Sequence, residues 1–120
     1  MSQTPVRIYH NRRCSKSRAV CQMVAQSAVP VEIIDYLATP PSRAELRELL
    51  RQLGMPAAEL VRRGEAVFRE FYAARTLSED EWLDALVDHP ILIERPIVVR
   101  GDRAVIGRPP EKVLALLQAD

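Results

Sequence analysis

Long apolar runs are missing from the 120 residues. No stretch approaches the roughly 20 residues that span a bilayer, and the N-terminus carries no apolar segment of a secretion signal, so no membrane partner and a cytoplasmic location are expected. An excess of one charge is missing too. Seventeen Lys and Arg against sixteen Asp and Glu leave a net +1, which gives no global pull toward nucleic acid, so any basic feature has to be local. Cysteine is down to two, too few for a disulfide scaffold in a chain long enough to bury its own core. In a reducing compartment a functional cysteine is more often catalytic or redox-active. Two cysteines and two histidines lie scattered without ligand spacing, so neither a metal site nor a bound cofactor is expected. Internal repeats and low-complexity tracts are absent as well.

What is present is a pattern of elements. Val6-Arg7-Ile8-Tyr9 reads as a short strand with Val6 and Ile8 on one face, and Ser17, Val20, Cys21, Val24 and Ala28 then recur at helical spacing. Val31-Glu32-Ile33-Ile34-Asp35-Tyr36 is a second β-rich run, bounded by Pro30 and by Thr39-Pro40-Pro41. Strand, helix, strand predicts a βαβ unit with parallel strands and a right-handed crossover. Ser42-Arg43-Ala44-Glu45 and Ser78-Glu79-Asp80-Glu81 have the form of helix capping boxes. The first opens a stripe of Leu46, Leu49, Leu50 and Leu53 ending at Gly54; the second opens one of Trp82, Leu83, Leu86 and Val87 ending at His89-Pro90. Between them a short helix from Met55-Pro56 through Val61 is expected, then one over Glu65 to Tyr72 with Phe68 and either Phe71 or Tyr72 inward. Ile97 to Arg100 and Arg103 to Ile106 flank Gly101-Asp102, which fits a type II′ hairpin turn. Pro109 or Pro110 sets the first turn of a last helix with Val113, Leu114 and Leu117 inward. The order β-α-β, helices, β-β-α is that of a thioredoxin-like fold. The expectation is an α/β protein with a four-stranded mixed sheet, one domain over 1–120 with a helical insertion at about 42–89.

Cys14 falls where the first strand ends and the first helix begins. The first N–H groups of a helix lack intrahelical partners and together carry about half a positive charge, so an anion is favoured there. With His10, Arg12, Arg13, Lys16 and Arg18 nearby, the Cys14 thiol is expected to ionise well below the free value of about 8.5. The competing reading is a buried, inert cysteine. The backbone of Ser15, Lys16 and Ser17 is a candidate for holding an oxyanion beside that thiolate.

The hairpin carries information about three dimensions. With a two-residue turn at 101 and 102, opposed residues have numbers summing to 203, so Arg100 faces Arg103, Val98 faces Val105 and Arg95 faces Arg108. Like charges directly opposed destabilise a sheet. Either both side chains swing into solvent or an anion sits between them. Arg100 and Arg103, beside the turn, are expected in solvent. Arg95 and Arg108 each precede a proline, and guanidinium forks are the usual device for oxyanions.

Several segments together carry a resemblance. They are Tyr9-His10-Asn11 before Cys14, Pro40-Pro41-Ser42-Arg43 with Glu45-Leu46, Leu60-Val61-Arg62, the run from His89 to Val99, and Gly107-Arg108-Pro109-Pro110-Glu111. In that order, over nearly the whole chain, they resemble the glutaredoxin-coupled arsenate reductases. The resemblance implies that Cys14 is the nucleophile toward arsenate, that His10 helps ionise it, and that Arg62, Arg95 and Arg108 hold the oxyanion. It also implies a cis bond at Arg95-Pro96, glutathione as co-substrate and glutaredoxin as partner. Arg12 stands where the family usually has proline. Ser17 fills the second position of what would be a Cys-x-x-Cys motif, so no adjacent resolving thiol exists. Cys21 lies about 10.5 Å further along a continuous helix, beyond the roughly 7 Å a disulfide allows, and reads as core packing. Without the resemblance Arg62 reads as surface charge. The rival function is a non-catalytic regulator or redox-sensing adaptor of the same fold, which has no need for all three arginines.

Overall fold

The computed structural model describes residues 4–11 and 13–118, so the expectation attached to Arg12 lies outside the described residues. Its contacts divide the chain into two units, one formed by residues up to Thr39 with those from Arg95 onward, the other by Pro40–Glu94.

The first unit is built on β1 (Val6–His10), α1 (Ser15–Ala25), β2 (Val31–Asp35), β3 (Ile97–Arg100) and β4 (Arg103–Ile106). The strands form a four-stranded sheet in the order β2-β1-β3-β4. β1 pairs with β2 in parallel, Val6 opposite Val31 and His10 opposite Asp35, and with β3 antiparallel. The hairpin register is the one the turn arithmetic requires, with Ile97 opposite Ile106 and Arg100 opposite Arg103. Gly101 has φ +61°, while among the described residues no non-glycine residue, Asp102 included, takes a positive φ, as a type II′ turn demands of its first central position alone. Because β1 and β3 are inner strands, their apolar residues are buried: Val6, Ile8 and Val98 join Val20 and Val24 of α1 and Val113 and Leu116 in one core. Edge strand β2 leaves Val31 and Ile33 exposed. The helical stripe holds at Ser17, Val20 and Val24. α1 ends at Ala25, so Ala28 is exposed and Val29 turns inward instead.

Two expectations at the C-terminal end are corrected. Arg100 does not swing into solvent: it is buried, and its guanidinium donates to the carbonyls of Thr4 (2.9 Å), Leu116 (2.9 Å) and Leu117 (3.0 Å). The last two belong to α5 (Leu114–Gln118), whose final carbonyls have no intrahelical partner, so a cation is favoured there. Arg103 alone is exposed, and the like-charge pair is thereby separated. The last helix also has another phase. It begins as a 3-10 turn over Pro110–Val113, in which residues three apart share a face, so Leu116 follows Val113 inward and Leu114 is left exposed.

In the second unit, α2 (Arg43–Leu53) and α4 (Glu79–Asp88) each carry a complete reciprocal capping box, and α2 stops at Gly54 with φ +70°. Arg43 donates to Asp84 and, at 3.2 Å, to Asp80, tying the two helices together. The short helix after Pro56 is a 3-10 turn, Ala57–Leu60, whose first N–H is held by the Glu79 carboxylate at 3.1 Å. In α3 (Ala66–Phe71) Phe68 is buried and stacks on Trp82, while Tyr72 is buried and Phe71 exposed. Val87 is exposed, its expected inward place taken by Ala85. An isolated bridge pairs Val61 with Ile93, flanked by hydrogen bonds from Arg62 N–H to Leu92 (2.7 Å) and from Glu94 N–H to Leu60 (2.8 Å).

Candidate active site

The site grows out of the turn between β1 and α1. Asn11 is buried and organises it: its side-chain oxygen accepts from Arg13 N–H (2.9 Å), its carbonyl accepts from Cys14 N–H (3.0 Å), and its own N–H donates to the Ser17 hydroxyl (3.4 Å). Cys14 is thereby set at the N-cap of α1 in an extended conformation. A neutral thiol is a poor acceptor and makes no capping hydrogen bond there. Its thiolate is another matter. Burial pushes the Cys14 pKa up, but the Ser17 N–H, the Arg95 side chain, the Ser17 hydroxyl and the Lys16 N–H all favour the anion and together bring it from 9.0 to about 7. Its thiolate is therefore accessible at neutral pH, unlike that of an ordinary cysteine.

The two arginines set against each other by the hairpin meet at this sulfur. Arg108 donates from one terminal nitrogen to Cys14 Sγ at 3.2 Å and from Nε to the Arg95 carbonyl at 2.6 Å. Arg95 reaches the same sulfur with its side chain. The group that reconciles the opposed charges is thus Cys14 itself. Both X-Pro bonds here, Arg95-Pro96 and Arg108-Pro109, are cis, the second of them not expected from the resemblance. Gly107, before Arg108, packs so closely that a Cβ would come within 2.9 Å of Val20 and 3.1 Å of Pro96, which explains why no side chain stands there.

Sequence reasoning missed Tyr36. It is fully buried and hydrogen-bonds Arg95; burial alone would lower the Arg95 pKa, but Tyr36 and Cys14 push it higher. A signal was available, since Tyr36 directly follows a strand parallel to β1 and parallel strands end on the same side of a sheet. Of the other expected residues, His10 closes β1 with Nδ1 3.6 Å from Cys21 Sγ. Cys21 is half-buried and packs against the core, in line with its reading as a packing residue. Arg62 belongs to the second unit, where it is ion-paired with Glu94 at 2.8 Å and its buried Nε has no hydrogen-bond partner among the described residues. Among the described residues no cluster of three or more potential metal ligands occurs, and no helix is long and apolar enough to cross a membrane.

Comparison with known proteins bears on this constellation. The ArsC family profile matches residues 9–116. The chain is 38% identical to an arsenate reductase of Neisseria meningitidis, serogroup B strain MC58, over 93% of this chain and 97% of that one. It is 48% identical to the uncharacterised protein YfgD of Escherichia coli K12, over 93% and 96% of the two chains. Among solved structures, an arsenate reductase from Vibrio cholerae superposes with a TM-score of 0.90 at 40% identity, covering 95% of this chain and 98% of that one. Profile, relatives and fold agree over nearly the full length, and the matched span runs through Cys14, Arg62, Arg95 and Arg108: the chain belongs to the ArsC family.

Proposed function

We propose that this protein reduces arsenate with Cys14 as nucleophile and glutathione as the electron source. The observation that carries the reading is a thiol with a pKa of about 7 whose sulfur is 3.2 Å from the Arg108 guanidinium and within reach of Arg95. In the first step the Cys14 thiolate attacks arsenic(V), an S–As bond forms and an As–O bond breaks, the oxygen leaving as hydroxide. Arg95 and Arg108, held by Tyr36 and by the Arg95 carbonyl, then offer their charge to the arsenate oxygens instead of the sulfur. Arg62 is proposed as the third guanidinium. The N–H groups of Ser15, Lys16 and Ser17 supply the positive end of α1, and His10 is proposed to assist proton movement.

Arsenic is still pentavalent in that ester. Two electrons reach it when a glutathione thiolate attacks the Cys14 sulfur: an S–S bond forms, the S–As bond breaks, and arsenite departs with the electron pair. Ser17 cannot supply that second thiol, which favours an external one. Glutaredoxin then reduces the mixed disulfide in the cytoplasm and returns Cys14 to its thiolate. The test is arsenite release from arsenate with glutathione and glutaredoxin, run beside a thioredoxin-driven reaction. Release in neither overturns the activity; release with thioredoxin alone overturns the choice of reductant.

A further inference from the structure

Cys21 takes no part in the reaction proposed above, yet its sulfur lies 3.6 Å from Nδ1 of His10. The two residues come from different elements, His10 from the end of β1 and Cys21 from the second turn of α1, so the contact joins helix to strand behind the Cys14 turn. Cys21 is half-buried and packs on the core around Val20 and Val24. Between a thiol and a neutral imidazole the proton can lie either way. An imine nitrogen is a good acceptor and sulfur a weak one, so the arrangement with S–H as donor is favoured. Burial acts in the same sense by pushing the Cys21 thiol up, which keeps its proton in place at neutral pH.

We propose that Cys21 is a positioning residue whose S–H donates to Nδ1 of His10, fixing the imidazole ring and leaving its own proton on Nε2. Any proton that His10 gives up during the reaction then leaves from Nε2. This consequence for turnover rests on the proposed reductase activity; the contact itself does not.

The test uses the full chain labelled with 15N-histidine, with His89→Gln to assign the two imidazoles. Near pH 8 the parent is expected to show Nδ1 of His10 as an imine nitrogen moved upfield by an accepted hydrogen bond, and Nε2 as protonated. Cys21→Val fills the space but has no donor: Nδ1 should move downfield, and kcat for arsenite release should fall about threefold with KM unchanged, the loss expected for one modest hydrogen bond. Cys21→Ser restores a donor and should return both quantities toward the parent. If Cys21→Val does not fold, Cys21→Ala removes the donor by truncation and is read through the same resonance. An unmoved Nδ1 resonance in the donor-free variant, or a serine variant that behaves like valine, overturns the proposal. The resonance is read without substrate, so a parent that releases no arsenite sinks the reductase reading and leaves this test standing.

Discussion

Cys14 and Cys21 lie seven residues apart on one helix and are both largely withdrawn from water. Burial raises the pKa of each, and at Cys14 it is the largest single influence. The outcomes are nevertheless opposite. At the N-cap the sulfur meets backbone N–H groups of Ser17 and Lys16, a hydroxyl and the guanidinium groups of Arg95 and Arg108, and ends near 7. On the second turn the N–H groups are already spent within the helix, the neighbours are Val20, Val24 and one imidazole, and the thiol is pushed up. Depth therefore does not make a thiol reactive or inert in this protein. The difference lies in which donors face it, and that depends on where along the helix the residue falls.

The largest effect should come from deleting the reactive member of the pair. Cys14→Ser should bring arsenite release to background and remove the alkylation phase that titrates near 7. The remaining thiol should react only at distinctly higher pH. Cys21→Ala should keep the fast phase. If the fast phase survives in Cys14→Ser, the two cysteines have been assigned the wrong way round.

Next in size is the removal of a guanidinium. Arg95→Ala and Arg108→Ala should each lower kcat/KM by about 10²–10³-fold, the usual cost of one donor aimed at developing charge. Each should also raise the Cys14 pKa, read as slower alkylation at neutral pH. Arg108→Lys should recover only part of the loss, because an ammonium cannot bond Cys14 Sγ and the Arg95 carbonyl as one planar fork does. Unchanged alkylation in both alanine variants would mean that the helix end alone ionises Cys14.

How much of this was legible beforehand follows the range of the interactions. The capping boxes at Ser42 and Ser78, the parallel β1–β2 pair and the hairpin register are local or set by a short loop, and they could be read from spacing. So could the N-cap place of Cys14. Arg100 could not, because it donates to the carbonyl of Thr4, 96 residues away, and to carbonyls of a helix 16 and 17 residues away whose course no nearby residue dictates. The inward turn of Leu116 was lost for a different reason, an assumed α-helical period where the chain starts with three residues per turn. Tyr36 was passed over as a strand residue although its topological place beside the Cys14 turn was implied, and the His10–Cys21 contact joins two elements whose relative rotation periodicity does not specify.

A smaller effect is expected from Ser17→Ala. The hydroxyl bridges Asn11 N–H and the thiolate, and the backbone N–H of residue 17 survives the substitution. One charge-assisted hydrogen bond is lost out of several, so the Cys14 pKa should rise by about one unit, roughly the lower end of what such a bond contributes. Alkylation near neutral pH should slow several-fold, while the reaction above pH 9 should be unaltered. A pKa equal to the parent's would leave Ser17 with only a structural part in the turn.

The last effect, read in stability rather than in rate, separates the two cysteines by sign. The folded-state pKa of Cys14, about 7, lies below its ordinary 9.0, so the native chain holds its thiolate more firmly than the unfolded chain does. Its contribution is fully present above about pH 9, declines as the pH falls and is gone below about 7. Two units correspond to at most about 2.7 kcal/mol, and solvent near the turn makes about 2 kcal/mol the more realistic figure. Cys21 has its pKa raised by burial, so the native chain favours the thiol. Its contribution is intact below the unfolded value and is lost as the pH rises past it. Urea unfolding between pH 6 and 9.5 reads both. The gap between parent and Cys14→Ser should widen with pH in favour of the parent, whereas the gap between parent and Cys21→Ser should shift the other way. Gaps that move in the same direction would mean that both thiols face the same kind of surroundings, and the contrast between the two ends of α1 would fall.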